Sequence, residues 1–261
     1  MRTKLLSVIA VVFVLTVVLT SCKKDDDGTT SFQGDEFGSL SFNEDEIISK
    51  VPDGLKNSTD PNAASCLSVI ESAIDMSTFV DNMTPPESAT VVSTKSTEVN
   101  TTYTWSWAYQ GQSFTFFWTY REDAAKYYWD MQIQLGTNPA MDYISAWEMK
   151  DGSQGGIEYN FNWVCLMNES YTSECMDYYW TYSWSEASDG TWTLGWVAES
   201  GQGTEGSAIS YEVIINPDGS GSAEYYIGGA LYYDYLWDAL GNGSWAWYVG
   251  GSEYASGTWT V

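Results

Sequence analysis

"YTWSWAYQGQSFTFFWTY", residues 103–120, decides the fold. Tyr103, Trp105, Trp107 and Tyr109 alternate with Thr104, Ser106 and Ala108, and Phe114, Phe116, Trp118 and Tyr120 repeat the alternation after a break. Side chains two apart lie on one face of an extended chain, so this is a pair of half-buried strands. Gly111-Gln112 lies at the break, where a tight reversal needs a residue that tolerates positive φ. Period two with one apolar face describes an antiparallel hairpin whose other face is polar.

The same pattern continues to the end of the chain. Tyr127, Trp129, Met131, Ile133 and Leu135 carry it, then Ile157, Tyr159, Phe161 and Trp163, then Tyr178, Trp180, Tyr182 and Trp184. Trp192, Leu194 and Trp196 follow, then Ile209, Tyr211, Val213 and Ile215, then Leu231, Tyr233, Tyr235 and Trp237, and finally Trp245, Trp247 and Val249. Further turn signals stand at Asp151-Gly152, Asp189-Gly190, Pro217-Asp218-Gly219 and Asn242-Gly243. Connections this short join only antiparallel neighbours. The reading is a mainly β chain, an up-and-down antiparallel meander of about eleven or twelve strands over residues 97–261. A sheet that long and one-sided curls into a half-barrel or closes into a barrel. The strand pattern is repeat-like, without a fixed-length motif of the kind that builds a propeller.

Upstream the period changes. Cys66, Val69, Ile70, Ala73, Ile74, Val80 and Met83 form one apolar stripe at helical spacing, with Asp60 placed to cap the helix and Pro61 suited to its first turn. Pro85-Pro86 ends it, giving an amphipathic helix over 61–83 that packs on the sheet. A single stripe needs a concave apolar surface to cover it, which favours the half-barrel. Residues 58–261 thus form one domain. Residues 22–57 are polar with scattered Phe and Ile, and read as a flexible tether.

Residues 1–21 have the three parts of an export signal. Arg2 and Lys4 make a positive start, Leu5 to Leu19 an apolar core, and Thr20-Ser21 a small-residue cleavage site. The core is shorter than the roughly 20 residues a bilayer span needs. Leu19-Thr20-Ser21-Cys22 resembles the lipobox of bacterial lipoproteins. The resemblance implies cleavage before Cys22 and acylation of its thiol and new amine. It implies a stable membrane anchor, since two or more acyl chains hold where one does not. Lys23 after the cysteine is similar to the pattern of outer-membrane members. Lys23-Lys24-Asp25-Asp26-Asp27 resembles the tract that sends Bacteroidetes-type lipoproteins to the cell surface.

Removing residues 1–21 takes away Arg2 and Lys4 and lowers the net charge from −25 to −27. Such a chain does not bind nucleic acid, which requires Lys and Arg to replace counterions. It is repelled by anionic headgroups. There is no histidine, so Ser/His/Asp and Cys–His mechanisms are impossible and zinc lacks its usual ligands. Asn216, Asp218, Ser220 and Glu224 fail the spacing of a calcium loop, and the turn at Pro217-Asp218-Gly219 accounts for them. No cofactor or metal is called for. With 35 acids, a carboxylate pair for glycoside hydrolysis remains open, but Glu212, Glu224, Asp234 and Asp238 are what a solvated strand face carries. Cys165 and Cys175 are placed to cross-link the base of a hairpin in an exported protein. Cys66 then remains as a small buried hydrophobe.

The 14 Trp and 19 Tyr exceed what a core needs, because each indole and phenol wants a polar partner when buried. A lipid-facing outer-membrane barrel has a similar period. The lipid anchor, the aromatics along whole strands and the preceding helix argue against it. An inward aromatic face that is only partly filled leaves a cleft for an apolar or amphipathic ligand. Half-barrels with helical lids resemble periplasmic lipoprotein carriers in architecture, with no shared motif. Tyr128, Phe117, Tyr225, Tyr232 and Tyr248 fall on the otherwise polar face. Of these Tyr225, Tyr232 and Tyr248 come from consecutive strands and form the candidate ligand-binding group, suited to stacking on sugar rings. The leading expectation is a surface lipoprotein with a non-enzymatic binding role, holding a glycan or an amphipathic ligand. A structural component bound to another envelope protein comes second, and a glycosidase third.

Overall fold

The computed structural model describes residues 44–75, 85, 89–95, 100–109, 111–163, 178–200 and 208–261. Among these residues thirteen strands follow one another in a single antiparallel sheet whose spatial order is the chain order. They are β1 Thr90–Lys95, β2 Asn100–Tyr109, β3 Gln112–Glu122, β4 Lys126–Leu135, β5 Met141–Met149, β6 Gln154–Asn160 and β7 Tyr178–Glu186. The rest are β8 Trp192–Ser200, β9 Ile209–Ile215, β10 Gly221–Ile227, β11 Ala230–Trp237, β12 Gly243–Val249 and β13 Ser252–Trp259. The sheet does not close: β1 and β13 are its two edges. The expected meander is therefore present as the open form. It begins at Thr90, earlier than residue 97, because β1 is built of Thr, Val and Ser without an aromatic to mark it.

The register shows why one face is buried. Thr101, Tyr120, Trp129, Ala146, Ile157, Tyr182, Trp196, Tyr211, Tyr225, Tyr233, Trp247 and Ala255 are successive cross-strand partners across β2 to β13. One row thus crosses the whole sheet and defines its inner face. Phe114, Trp118, Trp129, Ile144, Tyr182, Val213 and Trp237 on this face join a single core cluster with the helices.

Among the described residues three helices precede the sheet: α1 Glu44–Lys50, α2 Asp53–Lys56 and α3 Pro61–Asp75. Helix α3 is capped as its sequence dictates. Asp60 Oδ1 accepts hydrogen bonds from the backbone N–H of Asn62 at 2.8 Å and of Ala63 at 3.3 Å, with Pro61 at the first position. Its stripe buries Ala63, Cys66, Ile70, Ala73 and Ile74, and it packs against β8, β9 and β10. The remainder of the expected helix, with Val80 and Met83, lies outside the described residues, as do residues 1–43 with Cys22, and Cys165 with Cys175. No described helix is long and apolar enough to cross a membrane.

Residues 44–57, expected as part of the tether, are folded against the sheet. Residues 44–57 carry α1 and α2, whose Ile47, Val51 and Leu55 are at most 1 % exposed. These three apolar positions recur every fourth residue, a helical spacing that the surrounding polar composition hides. The segment seats against one end of the sheet. Lys50 Nζ lies 3.6 Å from a Glu186 carboxylate oxygen and 5.5 Å from the Trp192 ring.

At that end the turns share one chemistry. Asp151 and Asp218 each accept two hydrogen bonds from the serine two residues on, one from its N–H at 3.0 Å and one from its hydroxyl at 2.7 Å. Asp189 accepts from the Thr191 N–H, and Asp238 first from the Asn242 side-chain amide at 3.0 Å and then from the backbone N–H groups of Leu240 and Asn242. These bonds favour the charged form and hold all four carboxyls below their ordinary pKa, the serine hydroxyl leading at Asp151 and Asp218. The expected reversal at Asn242-Gly243 is displaced. Gly241, at φ 95°, makes the turn, and Gly243 opens β12.

The last two hairpins are a sequence repeat. Residues 216–237 and 238–259 match at a displacement of 22. The shared positions are Gly219/Gly241, Gly221/Gly243, Ser222/Ser244, Tyr226/Tyr248, Gly228/Gly250, Gly229/Gly251, Tyr232/Tyr254 and Trp237/Trp259. The structure repeats with it. Trp237 Nε1 donates to Gly219 O at 2.8 Å, and Trp259 Nε1 donates to Gly241 O at 2.7 Å. Both hairpins turn through a Gly-Gly pair with positive φ, and each carries one β-bulge. The pair builds no propeller blade, but it is a fixed 22-residue period within the meander.

Candidate functional site

Seven strands contribute to an aromatic strip on the inner face. Trp180 and Trp196 meet edge to face at 5.9 Å between centroids. Trp196 stacks on Tyr211 at 4.8 Å and Tyr211 on Tyr225 at 5.2 Å. Farther along, Tyr233 stacks on Trp247 at 6.1 Å with planes 11° apart. The strip ends at Tyr254 on the edge strand, 4.7 Å from Trp247 and 68 % exposed. Trp180, Trp196, Tyr211, Tyr225, Tyr232, Tyr233 and Trp247 are all half-buried, unlike Tyr182, Trp184 and Val213 nearer the helices. Among the described residues, helix α3 covers part of the apolar face, over β8 to β10, and leaves a band of ring surface half-buried. Each ring pair contributes about 0.5–1.5 kcal/mol beyond its burial, which makes the band rigid before any ligand arrives.

The bulges add rings of a different orientation. Opposite Tyr225-Tyr226 the strand β11 carries one extra residue, so Tyr232 shares the inner face with Tyr233. Its ring stands at 76°, 80° and 70° to Tyr225, Tyr233 and Trp247, all within 6.2 Å. The bulge opposite Trp247-Tyr248 does the same for Tyr254, at 68° to Trp247.

The three tyrosines singled out from sequence are therefore divided. Tyr225 and Tyr232 are brought together at 6.0 Å, but on the inner aromatic face, where the sequence placed them on the polar one. The reason is parity. Strand β10 opens with Gly221-Ser222-Ala223 and gives no aromatic alternation from which to count, while the β11 bulge shifts Tyr232 by one position. Tyr248 is not with them. It follows Trp247 on β12, pairs with Glu253 and faces outward. Tyr128 is also outward, with the Arg121 guanidinium 3.9 Å over its ring and its hydroxyl donating to Asp123.

Electrostatics follow burial. Desolvation first, then the neighbouring phenol, raises the pKa of Tyr211 and Tyr225. The strip is neutral, so it offers no charge to a ligand. Trp180, Trp196 and Trp247 each bury an indole N–H that has no hydrogen-bond partner. An orphaned donor costs about 1–3 kcal/mol, a cost a phenylalanine at the same place would avoid.

The acids lie elsewhere. Glu212, Glu224 and Asp234 are direct cross-strand neighbours in one row on the outer face. Tyr226 donates its hydroxyl to Glu224. Burial, then Glu224, raises the pKa of Asp234. Of the residues weighed for calcium, Asp218 is engaged by Ser220, and Asn216 Nδ2 donates to Ser220 Oγ at 3.0 Å. Among the described residues no three His, Cys, Asp or Glu side chains are grouped to hold a metal ion. Cys66 is fully buried on the inward face of α3, and desolvation pushes its thiol up to about 12.

Sequence reading named the strip's Trp196, Tyr211, Tyr233 and Trp247 only as strand aromatics and passed over Tyr254. The signal that could have joined them is the 22-residue repeat, which pairs Tyr225 with Trp247 and Tyr232 with Tyr254. Comparison with protein-family models, with curated proteins and with solved structures finds no match to this chain.

Proposed function

We propose that this chain is a non-enzymatic binding protein, tethered by lipid on Cys22 to the outer membrane and exposed at the cell surface. Its aromatic strip holds a ligand with apolar faces, a glycan or an amphipathic molecule. The observation that carries the reading is the band of half-buried, packed rings from Trp180 to Trp247 that ends at the exposed Tyr254.

The test uses the full mature chain with Cys22→Ser, screened against neutral and anionic glycans and against vesicles and micelles of neutral lipid. Binding to at least one class, lost in Trp247→Ala, is expected. A chain that binds neither class refutes the reading. Metabolic labelling with palmitate, abolished by Cys22→Ser, tests the anchor separately. A structural role beside another envelope protein is the second reading. The observation in its favour is the open edge at β13, whose outer row of backbone groups pairs with no other described strand.

A further inference from the structure

The repeat gives the strip an internal period, and the period narrows the ligand. In each of the two C-terminal hairpins, the inner residue before the bulge lies against the bulged tyrosine of the next strand. These pairs are Tyr225 with Tyr232 at 6.0 Å and 76°, and Trp247 with Tyr254 at 4.7 Å and 68°. Tyr225 and Trp247 are 22 residues apart, as are Tyr232 and Tyr254. Each pair is a two-walled corner whose walls are near perpendicular. The bulged tyrosines differ from the rest of the strip. Trp196, Tyr211, Tyr225, Tyr233 and Trp247 each spend a face on a stacked neighbour, whereas Tyr232 and Tyr254 meet these rings edge to face.

The corners stand on β10–β11 and β12–β13, two strands apart, and strand spacing puts them about 9–10 Å from one another. Tyr232 bridges them, since it also reaches Trp247 at 6.2 Å. Two like corners set one repeat apart fit a ligand that is itself periodic. A linear glycan presents alternate apolar ring faces at the length of a disaccharide, which matches this spacing. An acyl chain has no such period. Charge sets the other limit. The chain carries −25 overall, Glu253 flanks Tyr254, and Glu224 and Asp234 lie on the reverse of the same strands. An anionic polymer is repelled from this edge.

Resting on the binding role proposed above, we infer that Tyr225–Tyr232 and Trp247–Tyr254 are two equivalent subsites for successive disaccharide units of a neutral glycan. The chain of the glycan runs across the strands toward the β13 edge.

Affinity electrophoresis of the full Cys22→Ser chain tests this in gels of neutral polysaccharides (hydroxyethylcellulose, xyloglucan, mannan, dextran) and of anionic ones (alginate, heparin). The chain with its aromatics intact is expected to be retarded by at least one neutral polymer and by neither anionic one. Tyr232→Ala and Tyr254→Ala should each weaken retardation about tenfold, the effect of truncating one anchoring aromatic, and the double variant should abolish it. Tyr232→Phe and Tyr254→Phe keep the rings and should retain binding, which separates lost contact from lost folding. Tyr248→Ala, on the outer face, should bind unchanged. Retention in a neutral gel that survives both alanine substitutions, that is lost in only one of them, or that falls equally in Tyr248→Ala overturns the two-subsite inference and leaves the binding role standing. Retardation by the anionic polymers alone also overturns it. Retardation by none, with lipid bound in the screen, overturns the glycan and keeps the strip. Binding of neither class removes both.

Discussion

Gly243→Ala isolates the packing on which the repeat depends. A Cβ built at Gly243 lies 2.2 Å from Cζ2 of Trp259 and 2.3 Å from the Leu236 carbonyl oxygen. Ordinary contact between carbons begins near about 3.5 Å, so more than an ångström must open in two directions at once. The carbonyl belongs to the neighbouring strand and moves only with the ladder. The ring is 3 % exposed and held by its own hydrogen bond to Gly241 O. Overpacking of this kind costs about 1–3 kcal/mol, and a displaced indole leaves a buried donor worth about 1–3 kcal/mol more. The expected loss is about 3 kcal/mol. In urea, with a slope of about 2–3 kcal/mol/M for a domain of this size, the midpoint falls by about 1–1.5 M. Trp259→Ala alone costs about 3–5 kcal/mol. In that background the ring half of the clash is gone, so Gly243→Ala adds only about 1 kcal/mol. Circular dichroism across the four proteins of the cycle reads the coupling directly. A cost for Gly243→Ala within about 0.5 kcal/mol of zero, or one that is the same with and without the ring, refutes the reasoning. The repeat demands a parallel result at Gly221, whose added Cβ would meet Trp237 at 2.4 Å and the Ile214 oxygen at 2.1 Å.

Three further outcomes are expected. Asp234→Asn stabilises the fold by about 0.5 kcal/mol, the scale of a like-charge cross-strand pair at a half-exposed site, and raises Tm by about 1–2 °C; a fall in Tm contradicts it. Stability passes through a maximum on the acid side of neutrality. Asp234 has a raised folded pKa, so its penalty is relieved as pH falls through that value, while Asp151, Asp189, Asp218 and Asp238 have lowered ones and lose their contribution below the ordinary 3.8. A melting temperature that falls steadily from pH 7 to 5 would count against that assignment. With Cys22 replaced, the native protein exposes no thiol to a disulfide reagent at pH 8, because Cys66 is buried with its thiol held near 12. Denatured without reductant it yields one, as a Cys165–Cys175 bond requires, and three would dismiss that bond.

The meander was legible because its signal is redundant. Strands such as β3 and β4 alternate over ten residues with a large aromatic or aliphatic side chain on every inner position, and any two of them suffice to set the phase. Helix α3 was legible for a comparable reason: a capping aspartate, a proline and a four-residue period agree. What failed were elements whose information lies in small residues. Strand β10 begins Gly221-Ser222-Ala223, and β13 reads SEYASGTW, so neither displays a phase. A bulge then changes the phase by one residue without any mark in composition, which moved Tyr232 to the other face.

Glycine explains both the failure and the repeat. Gly243 reads as punctuation and Gly221 carries no signal of its own, yet each opens a strand, under the ring of a tryptophan 16 residues on. The indole reaches over the glycine to the carbonyl of Gly219 or Gly241 in the turn before it. The missing Cβ is thus the complement of a Trp, and Gly-x-Gly with Trp at a fixed distance is one structural unit written in two places. The same unit fixes the hairpins' register, the register fixes where each bulge falls, and the bulge is what turns Tyr232 and Tyr254 out of the stack. Any ligand selectivity of the strip therefore traces back to two glycines that touch no ligand. Relocating the bulge while keeping every aromatic should abolish binding as surely as removing the tyrosines themselves.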